Sequence, residues 1–404
     1  MSTQTNNQVQ ITDPIYSPYY TKPTLLSFLE QKNLSKGLSA KKKDELVSYI
    51  NENINNNRIS SEELTEWKKK LLHEGNKHII CFNYNTIEEV DFEQCLENVR
   101  EEYDSIFDIE SNDDYIELYF KNVFIYFPEL EEAPTAPPQK NFITVIKIER
   151  NKHTYSISFL PPTDLFIWSD GEAPELIAIT SNYLIKYYNS IINRAFKLNT
   201  YSNKLEYINV LSHIWTITND AILTELAPLT DNLLNANQQY VTNCVNSIFN
   251  YNFISDKFGS NYEVKEEDYT TLNIESIKSE VLNKLRTTWF SFFINESKIP
   301  FEFRNQYGII ITESLQTQDG MKMKCGSKSI PLYNYKIHND IIGNSLSETH
   351  ECDEMMFEWS YNGKKIKTSL KCYNDYFYIL FHRATLKEDI DYVLSTIESI
   401  KNGL

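Results

Sequence analysis

The amino-acid sequence predicts an α+β fold with a small N-terminal helical module, an α/β middle segment, and a larger C-terminal domain that combines a helical centre with an antiparallel sheet. Three observations predict this class. Apolar residues recur at helical spacing near the N-terminus and again through residues 174–250. From Tyr307 onward they follow strand-like patterns. Within that region, the Asn362-Gly363 dipeptide favours a tight hairpin turn.

The N-terminal stretch divides into a polar tail, residues 1–14, and a helical module, residues 15–58. We expect the tail to be disordered because it offers almost no apolar surface to bury. In the module, Pro23 suits the first turn of one helix and Gly37 allows the positive φ that turns the chain. Ser39 is expected to cap a second helix.

The composition indicates an acidic, folded protein that is large enough for about two or three domains. The 404 residues are 41% hydrophobic and 13% aromatic, which is sufficient for a sizeable core. The formal net charge is −17, so the average surface should repel nucleic acid. We expect a cytoplasmic protein with free thiols and no membrane span, because the N-terminus is polar, long apolar runs are absent and the six cysteines lack a C-x-x-C pair.

The charge is unevenly distributed along the chain. Residues 15–58 hold seven basic and four acidic residues, whereas the remainder carries a balance of −20. Lys41–Lys43 crowd the predicted start of the second helix, where cations oppose the helix dipole. This arrangement indicates an anionic partner, although an ordinary solvated helix face explains it as well.

The pattern of the module resembles a SAP-type module, a small helix–extended turn–helix DNA-binding motif, or its bacterial helix–extension–helix relatives. The matching residues are Leu25–Leu29, Gly37-Leu38, Lys41–Lys43, Glu45-Leu46-Val47 and Ile50. The resemblance covers roughly a tenth of the chain, and the apolar spacing of the first helix departs from the family pattern. It implies non-specific DNA contact through the turn and the following helix start, by Lys36, Gly37, Lys41, Lys42 and Lys43.

The remaining chain divides at the proline-rich run around residues 131–138. Before it, residues 59–140 form the α/β segment, with a capped helix from Ser60 and a strand over 78–84. After it, residues 141–404 form the α+β domain. This domain begins with a predicted β-hairpin over residues 142–160, continues with a long amphipathic helix from Pro174, and ends with a helix that reaches about Lys401.

An alternative interpretation is a metal-dependent nuclease. Asp256 followed by Glu263 and Lys265 is typical of sites in which carboxylates hold Mg²⁺ and a lysine positions water. Glu-x-Lys is also frequent by chance, and further acids follow at once, so a solvated charged loop explains the same residues.

Two further clusters were weighed as metal or partner sites. A solvated face explains the acidic block, residues 88–132, and docking of a basic partner or binding of a hard cation are alternatives, although the block lacks a calcium-loop pattern. Its candidate ligands are Asp108, Glu110, Asp113 and Asp114. A zinc site of His350, Cys352 and Cys372 lacks the usual paired spacing. We therefore expect no metal and no cofactor.

These observations favour a DNA-associated adaptor over an enzyme. The basic module would contact DNA, and the acidic body would dock a protein partner, in a setting such as a bacterial mobile element or phage defence. A purely structural interaction subunit is the third possibility. In support of it, the helix over 91–103 with the following strands and prolines is somewhat similar to the ubiquitin-conjugating-enzyme-like (RWD-like) fold, which implies an inactive binding scaffold because no cysteine follows until Cys244.

Overall fold

Alternating apolar residues build antiparallel β-sheet in the described part of the chain, and helices cover it. The computed structural model describes residues 16–86, 90–126, 138–169, 175–202, 204–218, 307–316, 322–326 and 351–403, with single helical positions at 221, 224, 232 and 243. The α+β class predicted from the sequence is confirmed. The chain forms two compact units, the first from residues 1–207 and 361–404 and the second from residues 208–360.

The helices of the first unit are amphipathic and follow a short 3-10 turn at Ser17–Tyr19. They are α1 (Lys22–Gln31), α2 (Lys43–Asn55), α3 (Ser61–Leu71), α4 (Phe92–Glu102), α5 (Ser181–Ala195) and, at the C-terminus, α7 (Lys387–Gly403). Between α5 and α7 in sequence, residues 204–218 form α6, which leads along the chain into the second unit.

The strands run antiparallel wherever they pair. They are β1 (His78–Thr86), β2 (Ile106–Ser111), β3 (Tyr115–Tyr126), β4 (Gln139–Glu149), β5 (Thr154–Phe159), β6 (Leu165–Trp168), β7 (Leu176–Ala178), β8 (Leu198–Tyr201), β9 (Gly308–Gln316), β10 (Lys322–Gly326), β11 (Glu351–Tyr361), β12 (Lys364–Cys372) and β13 (Phe377–Phe381). In the first unit their order is β12-β13-β1-β5-β4-β3-β6-β7, with β2 beside β3 and β8 beside β1.

The two faces of this sheet bury different helices because successive side chains of a strand point to opposite sides. On β4, Phe142 and Ile146 belong to the core that α4 and α5 cover. Ile143 and Val145 belong to a second core, formed with α1, α2 and α3. The N-terminal module therefore packs on the sheet through its own apolar residues.

The second unit contains β9, β10 and β11 in the order β10-β9-β11, together with helical residues 208–218. Trp215 Nε1 donates a 2.6 Å hydrogen bond to the buried Glu313 carboxylate. The backbone N–H of Cys352 donates to Ser212 Oγ at 3.1 Å. Both bonds tie the helical residues to the strands of the same unit.

Several sequence predictions are confirmed by this architecture. Strands β4 and β5 form the predicted hairpin over 142–160, and α3 begins with the predicted capping box between Ser60 and Glu63. At the predicted hairpin turn, Asn362 and Gly363 have φ angles of 49° and 74°, the positive values that a type I′ turn requires.

Other predictions were wrong or lie outside the described residues. Ser39 does not cap α2, which begins at Lys43 with Lys42 at the N-cap position. The long helix predicted from Pro174 begins only at Ser181, and Leu176–Ala178 is a strand instead. The tail and the proline-rich run lie outside the described residues. The two compact units differ from the sequence-based division at residues 58 and 140, which stays a prediction. No described helix combines the length and apolarity needed to span a membrane.

Candidate nucleic-acid interface

Helix α1 is delimited by local signals at both ends. Thr21 is the N-cap, and Thr21 and Thr24 exchange backbone-to-side-chain hydrogen bonds in a capping box. After the helix, Asn33 adopts a left-handed φ of 56°, and the N–H of Leu34 donates to the carbonyl of Leu29 at 2.7 Å. This closure turns the chain sharply into the connection that carries the candidate DNA-contacting residues.

The connection between α1 and α2, residues 32–42, is a succession of turns, and two apolar side chains, Leu34 and Leu38, pack on the core of the N-terminal helices. Leu38 is 6% exposed and packs in the core of the N-terminal helices. Gly37 precedes it with a φ of +78°, a conformation that favours glycine, and open space surrounds its Cα. Lys42 becomes the N-cap of α2 because the Glu45 carboxylate accepts its backbone N–H at 3.1 Å.

The lysines of this connection point into solvent. Lys36, Lys42 and Lys43 are exposed, and Lys41 is half-buried with its Nζ 5.7 Å from the centroid of the Tyr49 ring. Within the described part of the chain, the ion pairs do not include any of these four lysines. We call Lys36 together with Lys41–Lys43 the connection lysines. They form a cluster of cations that the fold leaves available.

A second lysine triplet, Lys68–Lys70, stands at the last turn of α3. Lys69 Nζ lies 2.9 Å from Asp108 and 2.7 Å from Glu110. Hydrogen bonds to these two carboxylates raise the pKa of Lys69. Two of the acidic residues considered above as cation ligands therefore pair with a lysine of the same chain.

The other two members of this triplet also have intramolecular partners. Lys70 Nζ lies 2.5 Å from Glu388 at the start of α7. Lys68 Nζ lies 5.3 Å from the centroid of the Tyr16 ring, in cation–π geometry. The three cations at the end of α3 hold neighbouring elements of the first unit together.

Helix α3 also anchors the module that carries the connection lysines. Trp67 stacks on Phe28 with ring centroids 4.2 Å apart, and on Tyr20 at 5.7 Å. Lys32 Nζ lies 2.5 Å from Glu63, and this bond lowers the pKa of the Glu63 carboxyl to about 2. Helix α3 thus holds α1 and the start of the connection through one aromatic contact and one ion pair.

Beneath this module lies a buried amine that the sequence analysis does not single out. Lys77 is 0% exposed, and its Nζ donates no hydrogen bond to the described atoms. It sits 4.9 Å from the centroid of the buried Tyr19 ring. Burial lowers the pKa of Lys77 from 10.5 to about 7, while the nearby Glu74 acts in the opposite direction.

Glu74 and His73 extend this buried polar cluster. Burial raises the pKa of Glu74 to about 7, and its carboxylate accepts the backbone N–H of Lys387 at 3.3 Å. His73 Nε2 lies 3.2 Å from the Tyr119 hydroxyl. Burial, aided by nearby lysines, lowers the pKa of His73 to about 3, so the ring is neutral near pH 7. The cluster joins α3, the sheet and α7 in the first unit.

The remaining predicted sites are not assembled in the described residues. Asp256, Glu263, Lys265 and His350 lie outside them. Cys352 and Cys372 are buried, and no group of three or more potential metal ligands occurs within the described ranges.

The sequence analysis identified Lys41–Lys43 as a candidate site but did not identify Lys68–Lys70 or the buried amine of Lys77. The available signal for Lys68–Lys70 was its place at a helix C-terminus, where cations are favourable. No protein-family model, curated protein or solved structure matches the chain. Its function has to be inferred from its own residues.

Proposed function

We propose that the protein binds DNA without sequence preference through the connection lysines. The observation that carries this proposal is that Lys36, Lys42 and Lys43 are exposed and take part in no described ion pair. Exposed ammonium groups on the connection and at the start of α2 can contact phosphates of a nucleic-acid backbone. Such contacts give affinity through counterion release and carry no sequence information.

The surroundings of the connection lysines support a small contact area. Asp44 and Glu45 stand directly beside them in the first turn of α2, and Glu45 is engaged by the Lys42 backbone. The rest of the chain carries a balance of −20. DNA would therefore meet the protein at the connection and be repelled elsewhere, which leaves the acidic remainder available for a protein partner.

The test is DNA binding by a charge-reversed variant with Lys36, Lys42 and Lys43 all changed to Glu. Fluorescence anisotropy with a labelled 20-base-pair duplex, measured over a series of salt concentrations, gives both the affinity and the salt slope. We expect affinity to fall by at least ten-fold, and the slope of log K against log salt to decrease by roughly two to three.

The matched control reverses Arg100, Lys186 and Lys197, which are equally exposed and belong to or follow α4 and α5 on the opposite face of the sheet. It changes the net charge by the same amount. Equal loss of affinity in both variants would show that net charge alone matters and would refute the proposed interface, as would an absence of salt-dependent binding by the unaltered protein.

A further inference from the structure

The sheet of the first unit ends at β7, and this edge differs from the edge at β2. No described strand pairs with the outer side of β7. On β2, Asp108 and Glu110 bind Lys69 of α3, so charges and a helix protect that edge. Strand β7 holds only apolar residues, Leu176–Ala178, and all of them are exposed. The fold therefore leaves an apolar edge here without the charges that protect β2.

The backbone groups on the outer side of this edge belong to Leu176 and Ala178. The N–H of Ile179 donates to the carbonyl of Leu165 at 2.7 Å, so these two residues form a hydrogen-bonded pair between β7 and β6. Along an antiparallel pair, such residues alternate with residues whose N–H and C=O groups point away from the partner strand. Leu176 and Ala178 occupy the alternate positions. They offer two donors and two acceptors to a further strand.

One face of the sheet beside this edge is apolar and exposed. Strand register places Ala178 beside Phe166, and Leu176 beside Trp168. Phe166 in turn lies beside Ile125 of β3. Residues that are directly opposite each other share a face, and on this face Trp168 is 53% and Leu176 37% exposed. We call Trp168, Leu176 and Ala178, together with the outward backbone groups of β7, the β7 surface.

Both faces of the sheet offer apolar side chains near this edge. On β3, Tyr119 packs in the core that the N-terminal helices form, whereas Val123, four residues further along the same face, is 52% exposed. Ile177 points to the opposite face from Leu176 and is 42% exposed. A strand added to β7 would therefore meet apolar side chains on either face.

Negative charge accompanies this apolar edge in the sequence. Residues 164–180 include Asp164, Asp170, Glu172 and Glu175 but no lysine or arginine. Asp164 and Glu175 are exposed, and neither belongs to an ion pair in the described part of the chain. Carboxylates at this edge favour a partner that carries lysine or arginine. They disfavour a second copy of the chain, because each copy has a net charge of −17.

We propose that β7 accepts a basic, extended peptide of a protein partner as an additional antiparallel strand. The backbone groups of Leu176 and Ala178 bond to the peptide, and its apolar side chains pack on Trp168 and Leu176. Lysine or arginine residues that flank the apolar segment pair with the carboxylates at this edge. In strand addition of this kind, backbone hydrogen bonds give affinity and side chains give specificity. The proposal names a site for the protein partner considered above and does not depend on DNA contact.

The experiment measures binding of a labelled, end-blocked peptide, Lys-Lys-Val-Thr-Val-Thr-Val-Lys-Lys, by fluorescence anisotropy. Peptide residues opposite Leu176 and Ala178 direct both their N–H groups to β7 and their side chains to the apolar face, so these residues are the valines. N-methylation of the valines should weaken binding roughly ten-fold or more, whereas N-methylation of the threonines should have little effect. A peptide with glutamate in place of each lysine should also bind roughly ten-fold more weakly.

Variants of the protein test the same surface from the other side. Trp168→Ser and Glu175→Lys should each weaken binding of the parent peptide several-fold. Leu205→Ser, at an exposed apolar position in α6, and Glu101→Lys, at an exposed position in α4, are the matched controls and should leave binding unaltered. Because all four side chains are exposed, we expect urea denaturation to show that the variants remain folded.

The proposal is overturned if the parent peptide does not bind at millimolar concentration, or if methylation of valines and of threonines has the same effect. It is also overturned if Trp168→Ser binds the peptide as the unaltered protein does. Sedimentation of the protein alone tests the other occupant, since a dimer that Trp168→Ser dissociates would assign β7 to a second copy. DNA binding by the connection lysines is measured separately, so failure of either proposal leaves the other standing.

Discussion

The chain contains the same tripeptide twice, as Lys41–Lys43 and as Lys68–Lys70, and the fold treats the two copies differently. The first copy spans the end of the connection and the first residue of α2, where its lysines have no described ion pair. The second copy ends α3, where Lys69 and Lys70 bind carboxylates at 2.5–2.9 Å. The first tripeptide therefore forms a cationic surface outside the described ion pairs. The second forms contacts between elements of the first unit.

The difference arises from what each copy faces. Helix α3 packs on the sheet, so its last turn meets the acidic strand β2 and the start of α7. The connection before α2 packs on the N-terminal helices through Leu34 and Leu38, and Lys36, Lys42 and Lys43 are exposed. A lysine run is therefore evidence for a nucleic-acid surface only when the tertiary structure leaves it without carboxylate partners.

The largest expected effect is on stability, and it follows from removing Trp67, whose ring packs against the helix that precedes the first lysine tripeptide. Trp67→Ala deletes the stacking of α3 with Phe28 and Tyr20 and leaves a cavity in the second core. We expect the free energy of unfolding to fall by about 3–5 kcal/mol, measured by urea denaturation. Trp67→Phe, which retains a ring, should recover much of this loss; equal destabilisation by both changes would contradict the anchoring role.

The next effect concerns the buried amine beneath the module. Lys77→Met keeps a similar shape and removes the cost of burying an ammonium group, so we expect stability at pH 7 to rise by about 1–3 kcal/mol. The folded pKa of Lys77 is lowered from 10.5 to about 7. The unfolded chain thus binds one more proton between these values, and the native chain regains stability as pH rises through this window.

The advantage of Lys77→Met should accordingly be full at pH 7 and shrink toward pH 10, as measured by urea denaturation at a series of pH values. A gain that stays constant between pH 7 and pH 10 would show that Lys77 is not buried as a neutral amine. Glu74, whose pKa is raised to about 7, is the nearby group to monitor because it titrates below this window.

A smaller effect is expected at the turn that positions the first copy. Gly37 has a φ of +78° and no atom within 4 Å of an added Cβ, so Gly37→Ala costs backbone strain alone. We expect roughly 1 kcal/mol of destabilisation in thermal unfolding. Gly37→Asn should cost less because asparagine tolerates left-handed conformations. A larger cost for Asn than for Ala would contradict this backbone explanation.

The smallest effects distinguish the two lysine copies directly. Lys69→Met should lower stability by about 0.2–1 kcal/mol, because its ion pairs are partly exposed, and should leave DNA affinity unchanged. Lys43→Met should do the reverse, with unaltered stability and a measurable loss of DNA affinity. Urea denaturation and anisotropy on both variants test the comparison. Loss of DNA affinity in Lys69→Met alone would invert it.

Local features of the chain were predictable because their causes are local. The capping box at Ser60 and Glu63, the Asn362-Gly363 turn and the β4–β5 hairpin each depend on residues close in sequence. The start of α5 was misplaced because Leu176–Ala178 has an apolar pattern that suits either a helix or a strand, and pairing with β6 decides between them. Likewise, Lys42 and not Ser39 is the N-cap of α2, because Ser39 lies in a turn closed by the Lys41 N–H and the Leu38 carbonyl.

The sequence by itself determined the α+β class, the helix–connection–helix pattern at the N-terminus and the concentration of positive charge there. The tertiary structure alone decided which lysines are neutralised, that Lys77 is sealed beneath Tyr19, and that apolar side chains of β6 and β7 stay exposed at the edge of the sheet. The physical reason is the separation in sequence over which each kind of interaction acts. Hydrophobic periodicity, capping and turn conformation act within a few residues, whereas ion pairing, burial and cavity shape depend on segments as far apart in sequence as Lys70 and Glu388.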